Sequence, residues 1–224
     1  MNWEAMLTTL ELALCTSILL MIIGLPISYW VAFARWRWKF LVEAVVALPL
    51  VLPPTVLGFY VLVALGPQSP LGGLRLPFTF AGLVIASTLY SLPFAVQPIA
   101  AAFGSVDRRL IEASWTLGVS NVQTFFRVIV PLSWAGLITG FVLSFAHTMG
   151  EFGVVLMVGG NIPGVTRTVS IDIYDEVLVM NYGRAGVTSV VLLIGSFVIL
   201  SIVYSLNRKV WVVGTDRRNS QELR

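Results

Sequence analysis

Five long stretches of this sequence carry no Asp, Glu, Lys or Arg, and each reaches 23 residues or more. They are Leu12–Ala34, Ala44–Leu74, Leu76–Val106, Val128–Gly150 and Ala185–Asn207. A helix needs about 20 apolar residues to cross the hydrocarbon core of a bilayer, and backbone in lipid must satisfy its own hydrogen bonds. Because the runs are continuous rather than alternating, they predict helices and exclude a barrel. We therefore expect an all-α polytopic membrane protein.

The composition agrees with this interpretation. Only 11% of the 224 residues are charged and 57% are hydrophobic, whereas soluble domains carry about 25% charged residues. The apolar surplus must therefore face lipid. The sequence predicts one transmembrane domain over 1–224, with five helices near 7–33, 41–65, 79–103, 132–158 and 185–207 and a long connecting loop at 104–131.

The basic residues are concentrated on one side of these predicted helices. With the N-terminus outside, 11 of the 14 basic residues fall in inner loops or in the C-terminal tail. They are Arg35, Arg37, Lys39, Arg108, Arg109, Arg127, Arg208, Lys209, Arg217, Arg218 and Arg224. The outer side keeps Arg75, Arg167 and Arg184. Cytoplasmic loops carry an excess of Lys and Arg, so the chain is predicted to run N-out, C-in.

The N-terminal segment and the single cysteine limit the interpretation further. The start MNWEAML lacks the basic region and small-residue cleavage site of a signal peptide, so we expect the first helix to be retained. Cys15 has no partner for a disulfide and is expected to be a small buried residue.

The run RWRWK at 35–39 is typical of an anchor in membrane lipid at the interface, and it is too short for a nucleic-acid site.

Prolines interrupt the second and third predicted helices beside polar residues. Pro53 and Pro54 remove backbone donors just before Thr55, and Ser91 stands two residues before Pro93. Irregular backbone at membrane depth persists only where protein or a water-filled cavity satisfies it. These polar and proline positions are therefore candidates for lining a transport pathway, and a packed kink is the alternative.

His147 and Glu151 lie four residues apart, on one face of the fourth predicted helix. Ionisable residues within a membrane usually face the bundle interior and are candidates for function. This pair could line or gate an aqueous path, relay protons, or be satisfied by neighbouring helices, and two ligands alone make a poor zinc site. In the same helix, Gly136 and Gly140 predict close helix packing, either within the chain or between subunits.

The predicted loop 104–131 is far longer than a helix connection needs, since two to eight residues suffice. Asp107 is a candidate N-cap, and Gly118 suits the αL position that ends a helix. Ser120 followed by Gln123 forms a capping box. The helix that follows is expected to place four residues on one apolar face, namely Val122, Phe125, Phe126 and Ile129. We interpret the loop as a docking element for a cytoplasmic partner, with packing on its own bundle as the alternative.

The same loop resembles the EAA loop of the permease subunits of ABC importers. That family's pattern is Glu-Ala-Ala, three residues, Gly, nine residues and Ile-x-Leu-Pro. Glu112-Ala113-Ser114, Gly118 and Val128-Ile129-Val130-Pro131 keep this spacing with three conservative changes. The resemblance implies that the loop inserts into a cleft on a separate ATPase subunit and transmits its closure to the pore. The candidate coupling residues are Asp107, Glu112, Ala113, Gly118, Phe125 and Phe126.

Four further motifs resemble the oxyanion branch of these permeases. They are LPLVLPPTV at 48–56, SLPF at 91–94, GEFG at 150–153 and GGNIPG at 159–164. The length and five helices resemble the molybdate permeases more than the longer sulfate permeases. The resemblance implies an ABC-importer permease bundle in the bacterial cytoplasmic membrane. It also implies a homodimer that works with two cytoplasmic ABC ATPase subunits and an extracytoplasmic oxyanion-binding protein.

The chain itself is not expected to be an enzyme. It lacks the Gly-x-x-x-x-Gly-Lys-[Ser/Thr] phosphate loop, so ATP hydrolysis belongs to a partner. The sequence predicts no catalytic residue, cofactor or metal. No Lys or Arg lies at the middle of a predicted helix, so a crossing anion would meet hydroxyls, backbone dipoles and helix ends. Such a path suits weak binding and release.

Three alternatives stay open from the sequence. The ion could be tungstate, or sulfate and thiosulfate, instead of molybdate. A secondary transporter coupled through His147 and Glu151 would show internal repeats with paired broken helices, and the sequence shows no repeat. An intramembrane enzyme built on the same pair lacks a nucleophile and base at workable spacing.

Overall fold

The computed structural model describes residues 2–219, with side chains described through Ser205. The four longest helices are α1 (Trp3–Phe33), α4 (Phe80–Gly104), α8 (Trp134–Met149) and α11 (Tyr182–Asn219). The shorter helices are α2 (Lys39–Ala47), α3 (Pro54–Leu65), α5 (Arg108–Thr116), α6 (Asn121–Thr124), α7 (Val130–Leu132), α9 (Gly153–Gly159) and α10 (Val169–Leu178). Five of the predicted inner cations lie outside the described side chains, namely Arg208, Lys209, Arg217, Arg218 and Arg224.

Three helices in the described range are long and apolar enough to cross a membrane without a break. They are α1, α4 and the part Tyr182–Ser205 of α11. Two bent pairs raise the number to five if each counts as one span. Lys39–Leu50 and Pro54–Leu65 meet at 109°, and Asn121–Leu132 and Trp134–Met149 meet at 75°. The predicted all-α membrane fold is thus confirmed, and the prolines at 49, 53 and 54 explain the sharper bend.

Two expectations from the sequence are wrong. The fourth predicted helix, 132–158, is interrupted, because α8 ends at Met149 and α9 begins only at Gly153. Glycines on both sides of this turn weaken the helix, and Glu151 between them makes long-range contacts that replace helical ones. Cys15 is exposed on the surface of α1 rather than buried.

The centre of the bundle is formed by α1, α4 and α8, which pack on one another. Two glycines on α8 allow a close approach to α4. An added Cβ at Gly136 would collide with the Cβ of Ala102, and one at Gly140 would lie 2.9 Å from Ile99 Cγ1. The predicted close packing at these glycines is therefore present within the chain.

A short helix, α10, fills part of the long segment 159–184. It is fixed to the start of α1 at two points. The Val169 N–H donates to Thr9 Oγ1 at 2.9 Å, and Asn2 Nδ2 donates to Asp172 Oδ1 at 2.8 Å. These bonds hold the α9–α10 segment against the N-terminal end of α1.

Candidate functional site

The break between α8 and α9 places a carboxylate inside the helix bundle. Glu151 lies in this non-helical turn, and its side chain has no exposed surface. Its Oε2 accepts a hydrogen bond from Ser87 Oγ at 2.5 Å, and its Oε1 accepts one from Ser91 Oγ at 2.7 Å. Both serines are on α4. The carboxylate therefore joins the break to the neighbouring helix, as a buried charge must be paired or hydrogen-bonded.

His147, one helical turn before Glu151, belongs to the same cluster. Its Nδ1 lies 2.9 Å from Ser91 Oγ and 3.6 Å from Glu151 Oε1. Phe94 stacks on the imidazole with 3.9 Å between ring centroids, and Tyr90 lies at 4.8 Å in a tilted arrangement. The ring is held by both hydrogen bonding and aromatic packing, so its orientation is well defined.

The proline-rich break between α2 and α3 lies beside the same turn. An added Cβ at Gly153 would lie 2.9 Å from Pro54 Cβ and 3.5 Å from Thr55 Cγ2. Further along the contact between α3 and α9, an added Cβ at Gly58 would lie 2.8 Å from Met157 Cβ. The two interrupted helices therefore meet at their breaks, and glycine is needed where the backbones approach.

The structure brings most of the predicted pathway residues together. Ser91, His147 and Glu151 are in one cluster. Pro54 and Thr55 adjoin it through Gly153, whereas Pro53 is an exposed residue just before α3. Sequence reasoning missed two members, Ser87 and Thr148, although Ser87 stands one turn before Ser91 on the same face of α4. Thr148 Oγ1 lies 3.0 Å from Ser91 Oγ. Among the described residues, no three His, Cys, Asp or Glu side chains converge as a metal site.

The connecting loop 104–131 folds as two short helices around a glycine turn. The Asp107 carboxylate accepts the Arg109 N–H at 2.9 Å and caps α5. Gly118 has a φ of 77°, so it adopts the left-handed conformation just after the end of α5. Ser120 Oγ accepts the Gln123 N–H at 3.3 Å. The predicted N-caps and the αL glycine are therefore confirmed.

The helix α5 has one exposed and one buried face. Glu112 and Ala113 are exposed, and Arg108 Nε donates to Glu112 Oε1 at 2.8 Å along the surface. Ser114 is buried on the opposite face. Its Oγ lies 2.8 Å from Thr124 Oγ1, which joins α5 to α6.

Three of the four residues predicted to form one apolar face in the second half of the loop share a groove with α1, namely Val122, Phe125 and Phe126. The fourth, Ile129, is buried at the end of a π-helical turn that spans Phe125–Ile129. Phe125 packs edge-on against Tyr29 of α1 and Phe103 of α4. The open groove has a volume of about 590 Å³, and Val122 and Phe126 in its lining are 67% and 64% exposed.

A family model described as the binding-protein-dependent transport system inner membrane component matches residues 24–212. The chain belongs to this family. It is a permease, a channel-forming subunit rather than an enzyme, and a multi-pass protein of the cytoplasmic membrane. Permeases of this family work with an ATPase and a substrate-binding protein.

Individual relatives agree with the family. The permease is 53% identical over 207 residues to the molybdenum transport system permease protein ModB of Azotobacter vinelandii, covering 89% of this chain and 92% of the relative. It is 34% identical over 208 residues to a probable sulfate transport system permease protein of Chlorella vulgaris, covering 89% and 77%. A chain of the MetNI methionine ABC transporter, solved in inward-facing conformations, gives a TM-score of 0.71 at 18% identity, covering 90% and 94%. This last likeness shows the fold alone.

Proposed function

We propose that this permease is the membrane-spanning subunit of an ATP-driven importer that carries molybdate into the cytoplasm. The observation that carries the proposal is the 53% identity over 207 residues to a permease named for molybdenum transport. A relative named for sulfate is 34% identical over a similar length, which makes sulfate, with thiosulfate, the second candidate. Tungstate has nearly the size and charge of molybdate, so we expect this subunit to carry both.

We further propose that two copies of the chain enclose the pathway. The whole chain 1–224 would form one permease domain in each copy. Only 11% of the apolar window in Tyr182–Ser205 is buried, so this helix leaves surface free for lipid or a second copy. The distribution of Lys and Arg favours an N-out, C-in orientation. That orientation places the loop 104–131 in the cytoplasm, where two ATPase subunits would bind, and leaves the opposite side for the oxyanion-binding protein.

The loop 104–131 is proposed as the contact with the ATPase. Its coupling residues are Asp107, Glu112, Ala113, Gly118, Phe125 and Phe126. Asp107 and Gly118 fix its shape, and exposed side chains on α5 and beside the groove form its contact surface. Phe125 supports transmission inward, because its ring packs on both α1 and α4. A push on the loop would therefore move the central helices.

The pathway is proposed to run past the two helix breaks. Its candidate residues are Pro53, Pro54, Thr55, Ser91, His147 and Glu151. Interrupted helices present hydroxyls and backbone dipoles at membrane depth, and such groups can pass an anion without trapping it. The helix α8 leads from the loop to the turn at Glu151, so a movement of α8 at the loop would also move this turn. We propose that this turn is the gate.

Uptake of labelled molybdate tests the transported ion. Cells that lack their own transporter would carry the permease with its ATPase and binding protein, and excess tungstate or sulfate would compete. We expect uptake that needs an active ATPase and is blocked by tungstate but not by sulfate. Inhibition by sulfate would move the assignment to sulfate, and uptake without an active ATPase would overturn the coupling proposal.

A charge reversal in the loop tests the ATPase contact. We expect Glu112→Lys to reduce ATP-dependent uptake at least tenfold while membrane insertion is kept. Glu43→Lys is the matched control, because Glu43 is another exposed glutamate that pairs with a base four residues before it, Lys39. Equal loss in both variants, or no loss in Glu112→Lys, would contradict the assignment of the loop.

A further inference from the structure

The protons in the buried cluster can be assigned by counting donors and acceptors. Ser91 Oγ lies 2.7 Å from Glu151 Oε1, 2.9 Å from His147 Nδ1 and 3.0 Å from Thr148 Oγ1. A serine has one proton to donate and two lone pairs to accept, and an ionised carboxylate only accepts. The proton of Ser91 therefore goes to Glu151. Its oxygen must then accept from both other neighbours, so Nδ1 of His147 carries a proton.

The second nitrogen of the ring, Nε2, has no hydrogen-bond partner in the part of the chain that the structure describes. Nδ1 points at Ser91, and the rings of Phe94 and Tyr90 pack on the imidazole. Nε2 has no hydrogen bond among the described residues, and it is not one of their buried unpartnered atoms. About 20% of the His147 side chain is exposed. The ring therefore faces inward with Nδ1 and presents Nε2 to the space beside the bundle.

One acidic side chain lies beside the ring. Glu151 Oε1 lies 3.6 Å from Nδ1, and the Glu151 side chain is fully buried. The other titratable group in contact with the ring is Tyr90 on α4. The helices α1 and α11 also pack on α8, but no titratable side chain described on them has a hydrogen bond, ion pair or ring contact with His147. Since the long uncharged runs contain no Lys or Arg, this histidine is the one side chain in them that can become a cation.

We propose that His147 contacts the transported oxyanion through its Nε2–H, and that Ser91 and Glu151 are positioning residues that keep Nδ1 protonated. The proposal rests on the proposed function, because it takes the cargo to be an oxyanion. The contact is one charge-assisted hydrogen bond whose charge is already balanced by Glu151. It can therefore select an anion at the gate and still release it, unlike a permanent Lys or Arg.

The chain offers a direct test, because His147 is its single histidine. Permease with 15N-labelled imidazole, purified through a histidine-free tag, would be assembled with unlabelled ATPase and reconstituted in lipid. Solid-state NMR then reads one Nδ1 and one Nε2 signal. We expect Nδ1 to be protonated, and the Nε2 signal to shift when molybdate is added either without nucleotide or with ATP bound to a hydrolysis-deficient ATPase. An unprotonated Nδ1, or an Nε2 signal indifferent to molybdate in both states, would overturn the proposal.

Two variants separate the positioning role from simple packing. Ser91→Ala and Glu151→Gln are expected to redistribute the proton between Nδ1 and Nε2, whereas Thr88→Ala, which changes a hydroxyl bonded to its own helix, should leave both signals unchanged. If Ser91→Ala and Glu151→Gln leave the proton on Nδ1, the positioning role is wrong.

Transport in proteoliposomes at equal pH on both sides gives the functional test. We expect wild-type uptake of molybdate to be faster at acidic than at alkaline pH, since an imidazole that already carries a proton on Nδ1 offers an Nε2–H only in its doubly protonated form. In His147→Gln, molybdate uptake should be about tenfold slower at pH 6 and should lose its pH dependence, since the glutamine amide is a hydrogen-bond donor that stays neutral at every pH. Each variant is compared with wild type at every pH, so titration of the ATPase or the binding protein cancels. Absence of molybdate uptake in wild type would overturn the proposed function, whereas equal profiles in both proteins would overturn only this inference.

Discussion

Two of the regions that interrupt the helices of this permease are held by opposite means. The turn at 150–152 is anchored by buried hydrogen bonds between Glu151 and the α4 serines. The loop 104–131 is largely exposed and depends on caps, a glycine turn and the packing of Phe125. Polar contacts strengthen in a dry interior, whereas water competes with them at a surface. The stability of the turn should therefore depend on distant partners, and that of the loop on local backbone geometry.

Removing the buried carboxylate should have the largest effect on stability. In Glu151→Leu, Ser87 and Ser91 lose their acceptor, and unsatisfied buried groups cost about 1–3 kcal/mol each. We expect the free energy of unfolding in mixed micelles to fall by about 2 kcal/mol or more. Glu151→Gln keeps one acceptor oxygen, so its free energy of unfolding should lie between those of Glu151→Leu and wild type.

The control for this prediction is Glu11→Leu, which removes an exposed carboxylate from α1. Its free energy of unfolding should stay close to that of wild type. If Glu11→Leu and Glu151→Leu lowered it equally, the turn would not depend on its buried acceptor and the contrast between the two regions would fail.

A backbone change in the loop should have the next largest effect. Gly118 has a φ of 77°, and an added Cβ there would meet nothing within 4 Å. The cost of Gly118→Val is therefore conformational, about 1–2 kcal/mol, and we expect ATP-dependent uptake to fall at least tenfold because the loop is redirected. Gly118→Asn should lose less, since Asn visits the left-handed region more readily. Gly104→Val adds the same side chain in open space without a positive φ, so uptake should persist, and its loss there would refute a conformational cause.

The difference between the two regions also explains which features could be predicted from the sequence. Asp107, Gly118 and Ser120 act on residues within a few positions, so their roles follow from short patterns. The partners of Glu151 on α4 are 60 and 64 positions away. Only the folded bundle shows that hydrogen bonds from these partners to Glu151 take the place of helical hydrogen bonds after α8 ends at Met149. The π-helical turn at Phe125–Ile129 likewise follows from no short pattern in the sequence, and its first residue, Phe125, packs against Tyr29 of the distant helix α1.

A single buried hydroxyl contact within the loop should have a smaller effect. Ser114 Oγ donates to the Ile111 carbonyl, so the Thr124 hydroxyl donates to Ser114. Thr124→Val removes this link between α5 and α6 without changing the volume, and should cost about 1 kcal/mol of unfolding free energy. Thr116→Val is the control, because that exposed hydroxyl bonds only to carbonyls of its own helix. Equal effects in the two variants would show that the buried link adds nothing to stability.

The smallest effect is expected at the surface ion pair of the loop. Arg108 and Glu112 are more than half exposed, and such pairs contribute about 0.3–0.5 kcal/mol at low salt. Arg108→Gln should therefore change the free energy of unfolding by less than about 0.5 kcal/mol, and added salt should remove the difference. Lys39→Gln tests a second pair with the same order of charges, at 3.4 Å, and should behave alike. A loss from Arg108→Gln that is several times larger and independent of salt would mean that the loop, like the turn at Glu151, is held by an electrostatic contact that water does not screen.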